Sequence, residues 1–140
     1  MVKPMTNDLQ TQLPAISIHA GDRERLLKLA EAAADKYPET AEFLAREIDR
    51  ANILPDHHPI PDVVAMTSAV TFRDDVTGQV RTVRLVYPED ADVVAGRISI
   101  LTPIGAALIG LSAQQTIAFQ TPGGGWRSLT VLEVGASLRR

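Results

Sequence analysis

Among the side chains of this sequence whose types and spacing invite chemistry, Asp35 and Glu39 come first. They stand one helical repeat apart around Lys36, Tyr37 and Pro38, and a hard cation such as magnesium takes carboxylate oxygens of this kind. Solvated charges at helix ends account for the same pair. His57 and His58 lie between Asp56 and Asp62. Four-coordinate zinc needs further ligands at fixed spacing, and the remaining histidine is His19, far upstream. These residues therefore read as a polar linker. Gly123–Gly125 would cradle a phosphate only with a helix and a Gly-Lys-Ser/Thr ending behind it; Trp126 and an alternating stretch follow instead, so the run reads as a hairpin turn. Asp74, Asp75, Glu89, Asp90 and Asp92 fall in turns, where short acidic side chains bond the local backbone. No Ser-His-Asp arrangement emerges from spacing, and with no cysteine there is neither a thiolate nucleophile nor a cysteine-held zinc. The expectation is a protein without catalytic residues, cofactor or metal, one that acts by binding.

Composition narrows what it binds. The 140 residues suit one ordinary domain, or one compact domain plus a small appendage, and 45% hydrophobic content is normal for a globular chain. A formal net charge of −3 offers no basic face for DNA or RNA, so nucleic acid is not expected as a direct partner. The opening MVKPMTNDLQTQLPA has two prolines and no continuous apolar core, and reads as a flexible arm over residues 1–15 rather than a secretory signal. No apolar run approaches the roughly 20 residues of a membrane helix. A soluble, cytoplasmic protein is expected, and with no sustained heptad pattern, a monomer.

The elements that must position these residues fall into two parts. After the apolar Ile16–Ile18, the segment AGDRERLLKLAEAAADKY carries Leu26, Leu29, Ala30, Ala33 and Tyr37 at helical spacing, with Glu24 and Lys28 ordered as an i,i+4 pair. PETAEFLAREIDRA follows as a second helix, with Pro38 in its first turn, Ala41, Leu44, Ala45 and Ile48 on one face, and Glu42 before Arg46. The short connection predicts an antiparallel helical hairpin over residues 16–54, with arms of about 22 Å. LPDHHPIPD ends the helical pattern with three prolines, so residues 55–62 read as a linker. Beyond it the pattern alternates: Val70 and Phe72; Val83, Leu85 and Tyr87; Ile98 and Ile100; Ile117 and Phe119; Leu129 and Val131. Turn signals separate these pairs, which predicts a small, mostly antiparallel sheet over residues 63–136, with a tail at 137–140. The fold class expected is α+β.

One helix interrupts the strands. In TPIGAALIGL, Thr102 suits the N-cap, Pro103 the first helical position and Gly110 the left-handed position beyond the end. So brief a helix needs other elements to hold it. Ile104, Ala107, Leu108 and Leu111 supply a packing face, which leaves Thr102 and Pro103 at an exposed start.

VVAMTSAVTFRD, VRLVYPEDAD, RISILTPIGAALIGL and TPGGGWRSLTVLEV resemble, in order, the C-terminal domain of the Gre transcript-cleavage factors. From about Ile16 to Val134 the chain resembles the Rnk branch of the GreA/GreB transcription elongation factor family, the regulators of nucleoside diphosphate kinase. The resemblance implies a helical hairpin, a short coiled coil, joined to an FKBP-like domain that docks on RNA polymerase near the mouth of its secondary channel. Carried over to this chain, the polymerase contacts are Met66, Thr67, Ser68, Thr102, Pro103, Ile104 and Ala106, and the hairpin tip at the channel entrance is Asp35, Lys36, Tyr37 and Glu39. In the cleavage factors acidic residues at the tip help to hold a catalytic magnesium. Here the hairpin is shorter and Lys36 separates the carboxylates, so the implied role is to occupy the entrance in competition with Gre-type factors, with an indirect effect on nucleoside diphosphate kinase. Stimulated cleavage through Asp35 and Glu39, or an adaptor for another protein, are the alternatives. Prolyl isomerase activity, which an FKBP-like fold suggests, needs an aromatic pocket, and the chain has three Phe, two Tyr and one Trp.

Overall fold

A computed structural model describes residues 13–56, 58, 62–121 and 123–137. The chain runs β1 (Ser17–His19), α1 (Ala20–Ala33), α2 (Pro38–Arg50), β2 (Asn52–Leu54), β3 (Ser68–Asp74), β4 (Val80–Val86), β5 (Arg97–Ser99), α3 (Pro103–Leu108), β6 (Thr116–Gln120) and β7 (Trp126–Ser137), with a 3-10 turn at Pro88–Asp90.

The helical stripes bury the residues their spacing selects. Leu26, Ala30 and Ala33 of α1 and Ala41, Leu44 and Ile48 of α2 are buried, and each fully buried Leu or Ile contributes about 1.5–3 kcal/mol. Glu24–Lys28 and Glu42–Arg46 form the expected exposed ion pairs. Tyr37 departs from expectation. The helix ends at Ala33 because Pro38 drives the preceding residue out of the α region; Tyr37 sits at φ −130°, ψ 64°. Its ring is 44% exposed instead of continuing the buried stripe.

Residues 16–54 also hold more than helices. β1 and β2 pair in parallel, Ser17 with Asn52, Ile18 with Ile53 and His19 with Leu54. Strands of three residues are too short to show alternation, so the sequence gives no sign of them. The first N–H groups of α1 are also served from a distance, since Gly21 N–H donates to Asp56 Oδ1 at 2.7 Å.

The second sheet has the order β5-β4-β3-β7-β6. Every pairing is antiparallel except β4 with β5. Register shifts between β3 and β7 curl the sheet, because an extra residue on one strand bends it. Val70, Phe72, Val83, Leu85, Ile117, Phe119, Leu129 and Val131 point to its inner face and are buried. They join Ile16, Ile18, Leu26, Leu44 and Ile48 in one continuous core, so the helical pair and the sheet share their interior.

The helix α3 is placed as its punctuation predicts. Thr102 Oγ1 accepts from Gly105 N–H at 3.0 Å, and Gly110 has φ +80°. Gly105 lies against the end of β5: a Cβ there would be 2.2 Å from Ser99 O. No described helix is long and apolar enough to cross a membrane.

Candidate protein-docking surface

The start of α3 opens onto a groove of ≈ 360 Å³ on the sheet's inner side. Pro103, Ile104, Ile98 and Phe119 give it an apolar floor, and Arg81, Arg97 and Arg127 stand around it. Val93, 79% exposed, lies on its rim. Two of the arginines are already directed. Arg97 donates to the carbonyl of Asp90 at 3.0 Å and pairs with Asp92 at 3.5 Å, while Arg127 pairs with Asp74 at 2.5 Å. With the charges of Arg97 and Arg127 already answered by Asp92 and Asp74, the groove offers an almost wholly apolar lining, which suits a protein segment that presents an apolar side chain.

The predicted contact residues separate by burial. Thr102, Pro103 and Ile104 line the groove and are half-buried. Met66, Ser68 and Ala106 were expected at the same surface, but their side chains are 1%, 2% and 0% exposed. Met66 packs in the core, Ser68 Oγ accepts from Ala65 N–H at 3.0 Å, and Ala106 lies on the buried face of α3. Thr67, between the first two, is half-buried and held at φ 70°. Its N–H donates to Leu85 O at 2.7 Å, and its carbonyl accepts from the Arg84 guanidinium. The Thr102 hydroxyl has its proton engaged within the protein, donating to Ser99 O at 2.8 Å, and it accepts from Gly105 N–H at 3.0 Å. Thr102 therefore has no hydroxyl proton left to donate to a partner, which meets its methyl group or its remaining lone pair.

At the opposite end of the helical pair Asp35, Lys36, Tyr37 and Glu39 are all exposed. Lys36 Nζ lies 5.5 Å from the centroid of the Tyr37 ring, so this cation sits over the ring. Among the described residues no group of three or more His, Asp or Glu side chains is arranged to hold a metal ion. His19 and His58 meet for a different reason, since His19 Nε2 is 2.7 Å from the His58 carbonyl oxygen; His57 lies outside the described residues.

Charge elsewhere is structural. Arg127 donates to Asp74, whose carboxyl is held below its usual range by that bond first; burial opposes the shift, and the N–H groups of Val76 and Thr77 add to it. Burial pushes Asp75 upward, but hydrogen bonds from Arg73, Thr130 and Ser128 outweigh it and leave this carboxyl lowered too. Turn chemistry anticipated the backbone bonds of Asp74 and not the arginines: Arg127 arrives from the distant β7, and Arg73 from the end of β3, two residues before Asp75. Sequence reasoning also missed Glu47, 2% exposed and paired with Arg50 at 2.8 Å, because a charged residue on a helix reads as solvated.

Comparison with known proteins identifies the architecture. The profile "Transcription elongation factor, GreA/GreB, C-term" matches residues 58–136, and "Rnk N-terminus" matches residues 14–54. The chain is similar to the Regulator of nucleoside diphosphate kinase of Escherichia coli (strain K12), 38% identical over 121 residues that span 86% of this chain and 89% of the relative. It is 30% identical to Transcription elongation factor GreA of Rhodospirillum rubrum, over 86% of this chain and 90% of that one. A solved structure, the prokaryotic transcription elongation factor GreA/GreB from Nitrosomonas europaea, superimposes with a TM-score of 0.68 at 36% identity, covering 88% of this chain and 99% of the other. With both halves matched in order, the chain belongs to the GreA/GreB transcription elongation factor family, in its Rnk branch.

Proposed function

We propose that this protein is a transcription regulator that binds RNA polymerase in the cytoplasm. The groove beside Thr102, Pro103 and Ile104 docks near the rim of the secondary channel, and the Asp35–Glu39 tip stands at the channel entrance. In this reading residues 16–54 act as an antiparallel hairpin carried by an FKBP-like domain over residues 63–136. Regulation of nucleoside diphosphate kinase, which the name of the Escherichia coli relative records, is then indirect, through transcription.

The observation that carries the reading is the groove itself. It is built around the TPIG segment that the resemblance assigns to polymerase contact, and it presents an apolar surface bounded by three arginines, two of them already paired with carboxylates. The length of the helices supports occupancy of the entrance over cleavage: 14 and 13 residues reach only about 20 Å.

The test is a stalled elongation complex given a Gre-type factor with increasing amounts of this protein. Competition predicts that factor-stimulated RNA shortening falls as the protein is added, while the protein alone shortens nothing. Shortening by the protein alone, lost on Asp35→Ala, would favour the cleavage reading instead.

A further inference from the structure

The two ends of α3 meet different parts of the molecule. Its start bears Thr102, Pro103 and Ile104; beyond its end, the chain turns at Gly110 with φ +80°. Gly110 N–H donates to Val64 O at 2.8 Å, and Gly110 O accepts from Ser17 N–H at 3.2 Å. Ile16 O in turn accepts from Asn52 N–H at 2.9 Å. β1, which leads into α1, is thus tied directly to this turn, and β2, into which α2 leads, is tied to it through Ile16. A Cβ at position 110 would lie 2.8 Å from Ile16 Cβ, 3.2 Å from Ser17 O and 3.3 Å from Ser17 N. The backbones approach as closely as a glycine permits.

We propose that Gly110 is a positioning residue: the side chain it lacks sets the direction of α1 and α2 relative to the docking end of α3, and so where the Asp35–Glu39 tip stands when the groove is engaged. The second half of this statement rests on the polymerase reading; the first half concerns the protein alone. Geometry makes the turn a lever. The α1 axis is about 21 Å long, against a strand spacing of about 4.8 Å at its base. Relieving a Cβ at Gly110 requires roughly 0.6 Å of retreat to reach ordinary contact, which the lever turns into about 2–3 Å at the tip.

The chain has no cysteine, so Lys36→Cys with Val94→Cys, both exposed positions, gives a unique pair of spin labels. Pulsed electron-spin distances in this labelled parent are expected to form one narrow distribution. Gly110→Asn tolerates a positive φ yet carries the Cβ, and is expected to shift the mean by about 2–3 Å or broaden it. Gly78→Asn is the control, since Gly78 also has φ +80° but nothing lies within 4 Å of its Cβ position; it is expected to leave the distribution unchanged. An unchanged distribution in folded Gly110→Asn overturns the proposal. Should that variant fail to fold, amide exchange of Ser17 in the parent decides: protection equal to that of Leu26 is expected, and exchange as fast as at Lys36 overturns the proposal. In unlabelled protein, folded Gly110→Asn should still bind polymerase while competing less well with a Gre-type factor. Absence of polymerase binding by the wild type would overturn the docking reading and leave the distance result to decide the role of Gly110.

Discussion

The Arg25 guanidinium lies 3.6 Å from the centroid of the Tyr87 ring, and the same arginine reaches Glu89 at 2.8 Å. A residue of α1 is thereby laid on the strand-end turn of the sheet. The ion pair is exposed on both sides, at 58% and 61%, where water and salt leave such pairs about 0–1 kcal/mol. The stacked cation contributes about 0.5–1 kcal/mol more. Arg25→Ala should therefore cost only about 1 kcal/mol in urea unfolding. Tyr87→Ala, which empties a site 7% exposed, should cost about 3 kcal/mol or more. Equal losses would mean that the charge, not the ring, joins the two parts.

Gly105 should prove nearly irreplaceable. Its hypothetical Cβ falls 2.2 Å from Ser99 O and 3.0 Å from Ile100 Cα, both backbone atoms, so no side chain can swing aside. Gly105→Ala is expected to lose at least about 2 kcal/mol of stability, at the upper end of ordinary overpacking. A variant with the wild-type urea midpoint would contradict the close packing of α3 on β5.

Thr67 stores strain. A β-branched residue at φ 70° sits in a region that costs roughly 1–2 kcal/mol for a residue with a Cβ. Thr67→Gly should recover part of this and raise the thermal midpoint, even after the added freedom of the unfolded glycine. If the same variant binds polymerase more weakly, the strain serves the docking surface.

Acid should loosen the turn that joins β3 and β4. Asp74 and Asp75 both have carboxyl pKa values lowered from 3.8 in the folded protein, so the unfolded chain binds protons more readily. Their stabilising effect is fully present above the unfolded value and is lost as pH falls through the folded one. Thermal midpoints measured from pH ~6 downward should fall below pH ~4. The fall should be shallower in Asp75→Asn, whose starting stability is lower. Identical slopes in wild type and variant would show that other carboxylates carry the acid limb.

Much of the fold is legible in the sequence where one periodicity acts over enough residues. The stripe of α2, the alternation of β3 and β6, and the Thr-Pro and Gly bounds of α3 all stand in the structure. Legibility fails where geometry depends on partners remote in sequence. β1 and β2 are three residues each and pair across two helices, so neither shows a pattern alone. Met66 and Ser68 sit beside a turn whose left-handed Thr67 aims their side chains inward, which composition does not report. Gly110 of TPIGAALIGL is readable as helix punctuation, but its close approach to Ile16, and that of Gly105 to Ser99, belong to the packed molecule. Thr102 illustrates both sides: its cap is readable from the Thr-Pro pair, whereas its second bond to Ser99 O, which takes up the hydroxyl proton, is not.

Direct binding to core RNA polymerase tests the account at its centre. The comparison is wild type against a Thr102→Ser, Pro103→Ala double variant, which keeps the hydroxyl cap worth about 1 kcal/mol while removing the methyl and the ring from the groove; its thermal melt establishes that it is folded. The account predicts saturable binding by the wild type, weakened at least about tenfold, or about 1.4 kcal/mol, in the double variant. Wild-type protein that does not bind at micromolar concentration, or a folded double variant that binds as tightly, would contradict it.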